Sequence, residues 1–451
     1  MLRVPISHAK AGMEVALPVF NPRASAQVLL RPGAVLEQST IERMIELHLP
    51  EIWIKYPNME MVSKYVSPKI MSSRAEIVSG VAEAFDAAGK DMHARMDFTK
   101  YQAAMSKLME RLINDPDAAV FIGDIADTGS PAIRHGANVG YLSILIGLRL
   151  SFYLLRERKR LAPRLAKDVT SLGVAAMLHD VGMTRLKASV LERWANEHDH
   201  TDVQWQEHVR IGYEMLRGQV EPSAASAVLH HHQRFDGSGF PKKQRFDGEQ
   251  IGLEGSSIHV FARILLVADL YDRLVHPAYS LGDSDETMQS RSPVYAMYTL
   301  QQEPYQSWMD PIVFKALMTV CPSYAPGTTV ELSDGMRGVV VDWDPRDPCR
   351  PTIKEMTHFE DDEDGMVVDL REHHELCVVE ADGFDVREYN FYPKSRHEFD
   401  IRVLEKTMTN GVYDLDDDAM DVLIGNETDS DSGDDAIDPD TDSGNEDHRA
   451  A

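Results

Sequence analysis

The sequence predicts a multidomain chain: an all-α helical domain in the middle, a small α+β module ahead of it, and a β-rich segment with a disordered acidic tail behind it. Three observations carry this. Between Ala132 and His276 apolar residues recur at helical spacing in one segment after another. From Arg3 to Tyr56 and from Pro326 to Tyr392 short alternating runs are broken by Gly and Pro. From Asp414 to Ala451 fifteen Asp/Glu stand against one Arg, a composition that leaves little with which to build a core. A length of 451 residues also exceeds the roughly 100–200 residues of one domain.

The expected boundaries are 1–58 for the N-terminal module, 59–120 for a helical linker, 121–325 for the central domain, 326–412 for the β-rich segment and 413–451 for the tail. In the module, β-type runs at Glu14–Phe20, Gln27–Leu30 and Glu51–Ile54 surround a helical pattern at Thr40–Leu47. Such a module serves as a structural or dimerising appendage, or as a sensor. The linker carries helically spaced Ile77, Val81, Ala84 and Phe85, then Met105, Leu108, Met109 and Leu112. In the central domain the clearest helices are Val139–Leu154, Ser171–His179, Trp205–Leu216, Ala224–His231 and Ser257–Leu274, and Asp285–Tyr324 continues helical with Pro interruptions. Pro326–Trp343 alternates about a Gly-containing turn, as a β-hairpin does.

The formal charge is −27, and an acidic surface repels nucleic-acid backbones and anionic lipid, so DNA is not an expected partner. A small anionic substrate then needs a locally positive site, which bound cations provide. Cys321, Cys349 and Cys377 are widely spaced and suggest neither a disulfide framework nor a zinc knuckle. The N-terminus lacks the apolar core of a signal peptide, and Val139–Leu155 is interrupted by Arg149 and too short to span a bilayer. A cytoplasmic location with no membrane span is expected.

His179 and Asp180 close an apolar helical pattern, with Gly182 as its expected stop. His135 opens one apolar helix, His208 opens another, His231 and His232 close a third, and Asp269 lies inside ARILLVADLYDRL. Imidazole and carboxylate together suit iron, manganese, zinc, nickel or cobalt, and one carboxylate can bridge two ions. Seven candidates exceed the needs of a single ion.

The local wording of these segments resembles the HD superfamily of metal-dependent phosphohydrolases, and within it the HD-GYP proteins, which hydrolyse cyclic di-GMP. The resemblance runs over about 150 residues, through RHGANVG at His135, LHDVGM, EHVRIGYEML, HHQRFDGSGFP and ARILLVADLYD. It implies that His135, His179, Asp180 and Asp269 hold one ion while Asp180, His208, His231 and His232 hold the second. It also implies iron or manganese as the two divalent ions, His179 and Asp180 as the catalytic pair, and products pGpG and perhaps GMP. Phosphodiester hydrolysis needs charge neutralisation, a nucleophile and a stabilised leaving oxygen, all within reach of a two-ion site. Residues 3–56 resemble a domain found ahead of HD-GYP domains, and PGTTVELSDGMRGVVV a segment that follows them.

Departures from the family pattern concern the substrate side. Pro131 stands where some relatives have the Glu of a third metal, so a binuclear site is expected. Met183 replaces the usual Lys, Phe240 the signature Tyr and Gln233 a frequent Glu; Arg273 follows Asp272 in place of a small residue, with only His276-Pro277-Ala278-Tyr279 where an Arg-Pro-Tyr run is usual. Arg263, Arg185 or Lys187 are candidates to supply the lost positive charge. Asp236, Gly237, Gly239 and Phe240 are candidate substrate contacts, with Asp236 and its glycines read locally as a tight turn. His230 is assigned a surface or supporting role. Three functions follow: a cyclic di-GMP phosphodiesterase, a non-catalytic cyclic-nucleotide receptor or signalling scaffold, and a phosphohydrolase of another nucleotide. A homodimer or signalling partners would fit any of them.

Overall fold

A computed structural model describes residues 1–21, 24–47, 49, 51–123, 130–244, 246, 248–277, 291–356, 365–395 and 397–409. The acidic tail expected at 413–451 lies outside the described residues, as does Tyr279. The described residues belong to one compact unit.

In the N-terminal module, strand Leu2–Pro5 pairs antiparallel with Glu51–Ile54, and Val19–Asn21 pairs with Ala24–Leu30. Helix Gln38–Glu46 buries Ile41 and Met44. The apolar core of this module takes in Val120 and Ile122, and also Val339 and Val341 from the C-terminal sheet. Arg3 connects the two as well, pairing with Glu51 at 3.2 Å and with Asp382.

The two helices of the expected linker are Pro68–Lys90 and Phe98–Asn114. They pack on each other, and the first also packs on Pro131–Arg149. At the centre is Thr170–Met177, in which Leu172 through Met177 are all buried. A helix apolar all round must be wrapped on every side, and it contacts Phe98–Asn114, Pro131–Arg149 and Pro222–His230. Val260–Val275 lies against Pro131–Arg149, Pro222–His230, Pro293–Leu300 and Pro311–Val320. Local chemistry sets several helix starts: Pro at the first turn of Pro131–Arg149, Pro222–His230 and Pro311–Val320, and side-chain caps by Asp202 on Gln204 N–H and Asp310 on Ile312 N–H.

The expected long helix Val139–Leu154 is two, Pro131–Arg149 and Ser151–Glu157, bent by 83° at Leu150. Among the described residues no single helix is long and apolar enough to cross a membrane.

The C-terminal segment is a six-stranded antiparallel sheet in the order Val367–Asp369, Thr352–Glu355, Arg337–Asp342, Thr329–Leu332, Val378–Ala381, Phe384–Asp385. Its hairpin turns at Gly335, whose φ of +90° belongs to the left-handed region that glycine enters without strain. A helix, Ile401–Thr409, follows the sheet; the sequence reading did not anticipate it.

Candidate metal centre

Helices Pro131–Arg149, Val203–Leu216 and Val260–Val275, with the turns that follow Thr170–Met177 and Pro222–His230, bring all seven His/Asp candidates to one buried place. They fall into two donor groups, His135/His179/Asp269 and Asp180/His208/His231/His232, each with its ligand atoms within 4.8 Å of one another. All seven residues are buried. Asp180 lies between the groups: Oδ1 is 3.5 Å from His208 Nε2 and 3.7 Å from His231 Nε2, while Oδ2 is 3.5 Å from His179 Nε2 and 3.8 Å from His135 Nε2.

The imidazoles are oriented by their far nitrogens. Nδ1 of His179 donates to Ala176 O at 2.7 Å, that of His208 to Trp205 O at 2.6 Å, and that of His231 to Val228 O at 2.7 Å. Each acceptor is a carbonyl three residues earlier, so each ring keeps its proton on Nδ1 and turns the Nε2 lone pair inward. His135 is held instead by a carboxylate: Nδ1 meets Asp272 Oδ2 at 2.6 Å, and Asp272 Oδ1 accepts from Asn138 at 2.8 Å and lies 3.0 Å from His276 Nδ1. Asp272, Asn138 and His276 therefore belong to the site although sequence reasoning assigned them no part. The signal was present for Asp272, three residues after Asp269 and so on the same helical face.

The chemistry of these donors suits cations. Two buried polar atoms, Asp180 Oδ1 and His232 Nε2, have no hydrogen-bond partner, a costly arrangement unless something electrophilic completes it. Burial opposes ionisation of Asp180, yet His179, Arg273, His231 and His208 hold its carboxyl well below the usual range. Asp269 behaves likewise, with Arg273 and His135 overcoming the effect of burial. Burial pushes His208 down to about 3 against the pull of Asp180, and lowers His232 well below its ordinary value. Charged carboxylates beside the neutral rings of His208 and His232 are protonation states that bind metal, while Asp269 and Asp272 raise His135 despite its burial.

Gly182 has a role other than the expected helix stop. The apolar helix ends at Met177, and Gly182 sits in the short 3₁₀ turn Val181–Arg185. A Cβ there would overlap His208 O and lie 2.7 Å from Gly212 N. Its bare Cα lets the His179–Asp180 turn lie directly against the helix bearing His208.

Among the candidate substrate contacts, Phe240 belongs to the centre: it stacks on His232 with centroids 4.7 Å apart and lies edge-on to Trp205 at 5.5 Å. Gly239 lies where a Cβ would collide with His232 O, so the loop can cross the histidine pair only without a side chain. Asp236 is in the expected turn, accepting from Ser238 N–H at 2.9 Å, with Gly237 at φ +79°. Gln233 is buried and ties the same loop, donating to Pro241 O at 2.6 Å and accepting from Leu253 N–H at 2.9 Å.

The expected arginine contacts are placed differently. Arg263 is buried in an ion network with Asp310 at 2.6 Å, Glu157, Tyr153 and Ile258 O, because burying a guanidinium requires carboxylate partners. Arg185 is exposed and donates to Gly89 O at 3.1 Å, and Met183 is buried. The cation that does reach the cluster is Arg273: Nη2 donates to Asp180 Oδ2 at 2.8 Å and Nε to Asp269 Oδ1 at 2.7 Å. His230 lies apart, 3.2 Å from Ser226 Oγ.

Residues 154–313, which include six of the seven candidates, match the family model for the HD domain. This part of the chain is similar to the HD domain. HD domains are metal-dependent, and the buried His/Asp groups of this one suit that chemistry. Over 190 residues it is 27% identical to a cyclic di-GMP phosphodiesterase of Pseudomonas aeruginosa, covering 41% of each chain. Over 112 residues it is 36% identical to a cyclic di-GMP phosphodiesterase response regulator of Xanthomonas campestris pv. campestris, covering 24% of this chain and 27% of that one. A 3'3'-cGAMP-specific phosphodiesterase of Vibrio cholerae matches at 30% over 103 residues, 22% of this chain and 18% of that one. The chain thus spans less than half the length of these curated relatives.

Proposed function

We propose that this protein is an HD-GYP phosphodiesterase that hydrolyses cyclic di-GMP to pGpG, GMP or both at a binuclear site of iron or manganese. The single observation that carries the reading is the arrangement of Asp180, with one oxygen toward each donor group and Oδ1 buried without a partner. Relatives named as cyclic di-GMP phosphodiesterases support the substrate.

His135, His179, Asp180 and Asp269 would hold one ion, and Asp180, His208, His231 and His232 the other. When bound, the ions supply positive charge to the phosphate oxygens and ease deprotonation of water. The chain's own residues do the positioning. Ala176, Trp205 and Val228 carbonyls fix three imidazoles, Asp272 fixes the fourth, and Phe240 holds His232. The turn from Asp236 to Gly239 lets the backbone approach a ligand closely, and Asp236, Gly237, Gly239 and Phe240 line the approach to the histidine pair in this reading. The acidic carboxylates of the site repel a phosphodiester until cations offset them.

A second reading, a catalytically weak receptor for the same nucleotide, is favoured by Met183, whose thioether is buried where the resemblance implies a phosphate-contacting Lys. The deciding experiment loads anaerobically purified full-length chain with manganese or iron, adds cyclic di-GMP or 3'3'-cGAMP, and resolves the products, with Asp180→Ala as control. Turnover of cyclic di-GMP that is lost in the control supports the enzyme. Binding without turnover supports the receptor, turnover of 3'3'-cGAMP alone changes the substrate, and activity unchanged in Asp180→Ala overturns the binuclear reading.

A further inference from the structure

The two oxygens of Asp180 are not treated alike. Oδ1, toward His208 and His231, is buried with no hydrogen-bond partner, and so is His232 Nε2 in the same donor group. Oδ2, toward His135 and His179, accepts from Arg273 at 2.8 Å, and the same guanidinium donates to Asp269 Oδ1 at 2.7 Å. One donor group therefore keeps its unsatisfied atoms while a fixed cation already engages the carboxylates of the other.

Charge alone sets the opposite order. His135/His179/Asp269 adds its own carboxylate to the shared Asp180, whereas His208/His231/His232 adds three imidazoles and no carboxylate, so a divalent cation is drawn more strongly to the former. Resting on the reading of this cluster as a binuclear ion site, we propose that Arg273 inverts that order. It competes for the carboxylate oxygens of the His135/His179/Asp269 group, so this position fills second and more weakly.

An ion entering there must take oxygens from Arg273 and also sit close to its charge. In a buried site of low dielectric both effects are large. Arg273 has somewhere to go: its side chain is 15% exposed, against 1% and 2% for Asp180 and Asp269. The fourth residue after Asp269 on one helix is also the nearest position from which a long side chain reaches back across that carboxylate.

The test is Mn²⁺ binding to metal-free full-length chain, with free ion read by electron paramagnetic resonance and no substrate present. Wild type is expected to bind two ions whose affinities differ by roughly tenfold or more, the range that groups around a metal ligand command. His232→Ala should remove the tighter ion and Asp269→Asn the weaker. Arg273→Ala should tighten the weaker ion by about tenfold while its far-ultraviolet circular dichroism stays that of wild type. Two equal, tight ions in wild type, an unchanged weaker constant in Arg273→Ala, or loss of the tighter ion in Asp269→Asn would each overturn this inference alone. Absence of any bound ion in wild type would overturn the binuclear reading itself.

Discussion

Phe240 lies over the ring of His232, with centroids 4.7 Å apart and planes inclined by 27°. Its backbone N–H also donates to His232 O at 3.1 Å, so one residue holds both the ring and the main chain of a ligand candidate. Phe240→Ala should destabilise the fold by about 3 kcal/mol through the cavity it leaves, and weaken the ion that His232 would hold. Phe240→Tyr keeps the stacking surface and should stay near wild type on both counts. Thermal unfolding together with metal content reads the two effects; wild-type metal affinity in a folded Phe240→Ala protein would show that the stack does not position His232.

The Asp272 carboxylate reaches the ligand set only through His135, at 2.6 Å from Nδ1. Asp272→Ala leaves every candidate ligand in place but frees the His135 ring, and should cost roughly 10- to 100-fold in affinity for the ion at that ring. Asp272→Asn keeps an acceptor oxygen and should cost less. Equal affinities in wild type and Asp272→Ala would mean that packing alone orients His135.

Packing around Gly182 leaves no room for a side chain, since a Cβ would overlap His208 O. His208 O and Gly212 N, the two atoms a Cβ would meet first, are both backbone, so Gly182→Ala must part the His179–Asp180 turn from the helix Val203–Leu216. A loss of about 3 kcal/mol, the upper end for overpacking, is expected. Gly89→Ala is the control: the position is helical and has nothing within 4 Å, so a gain of about 0.5–1 kcal/mol is expected there from helix propensity. Denaturant midpoints of the two variants moving in the same direction would contradict this account.

These features differ in how far they could be read before folding. The seven ligand candidates were legible because each sits at the edge of, or inside, an apolar helical pattern, and buried polar residues in such places stand out. The break at Leu150 was not, because no Pro marks it and apolar residues continue at helical spacing on both sides of Arg149 as far as Leu155. Helix Ile401–Thr409 has a polar sequence that buries only Ile401 and Leu404, a weak signal beside the acidic tail. Arg263 and Arg273 show the hardest case: both are arginines on the helix Val260–Val275, and only the partners supplied by other segments, Asp310 and Glu157 for one and Asp180 for the other, separate their roles.

Acid should unfold the metal-free protein through the histidines it keeps neutral. His208 is held down at about 3 by burial, and His200 and His259 at about 4 chiefly by burial, against an ordinary value of 6.5. An unfolded chain binds these protons more readily than the folded one. The sign is therefore that stability is full above about pH 6.5 and is lost as pH falls from there toward 4 and then 3. Asp180 and Asp269, with lowered values, act in the same direction at still lower pH, while His135, whose value is raised by Asp269 and Asp272 despite burial, adds stability as pH falls through its raised value to about 6.5 and nothing further below. Urea midpoints should fall between about pH 6.5 and pH 4; a midpoint that held or rose across that interval would show that the folded protein does not keep these histidines neutral.

Arg263 sits among Asp310, Glu157 and Tyr153, and its loss should act on the fold before it acts on any substrate. Arg263→Leu fills much of the volume but strands Asp310, which is 2% exposed, as an uncompensated buried charge. Breaking such a pair from one side costs about 3–5 kcal/mol. Arg263→Leu combined with Asp310→Asn removes the stranded charge along with its partner and should recover part of that loss, leaving the coupling between the two changes as the quantity measured. Asp310 also caps the helix Pro311–Val320 through Ile312 N–H at 2.9 Å, and asparagine can accept the same bond, so the recovery reports the charge and not the cap. If Arg263→Leu unfolded at the wild-type denaturant concentration but bound cyclic di-GMP more weakly, the residue would instead be the substrate contact that the sequence suggested.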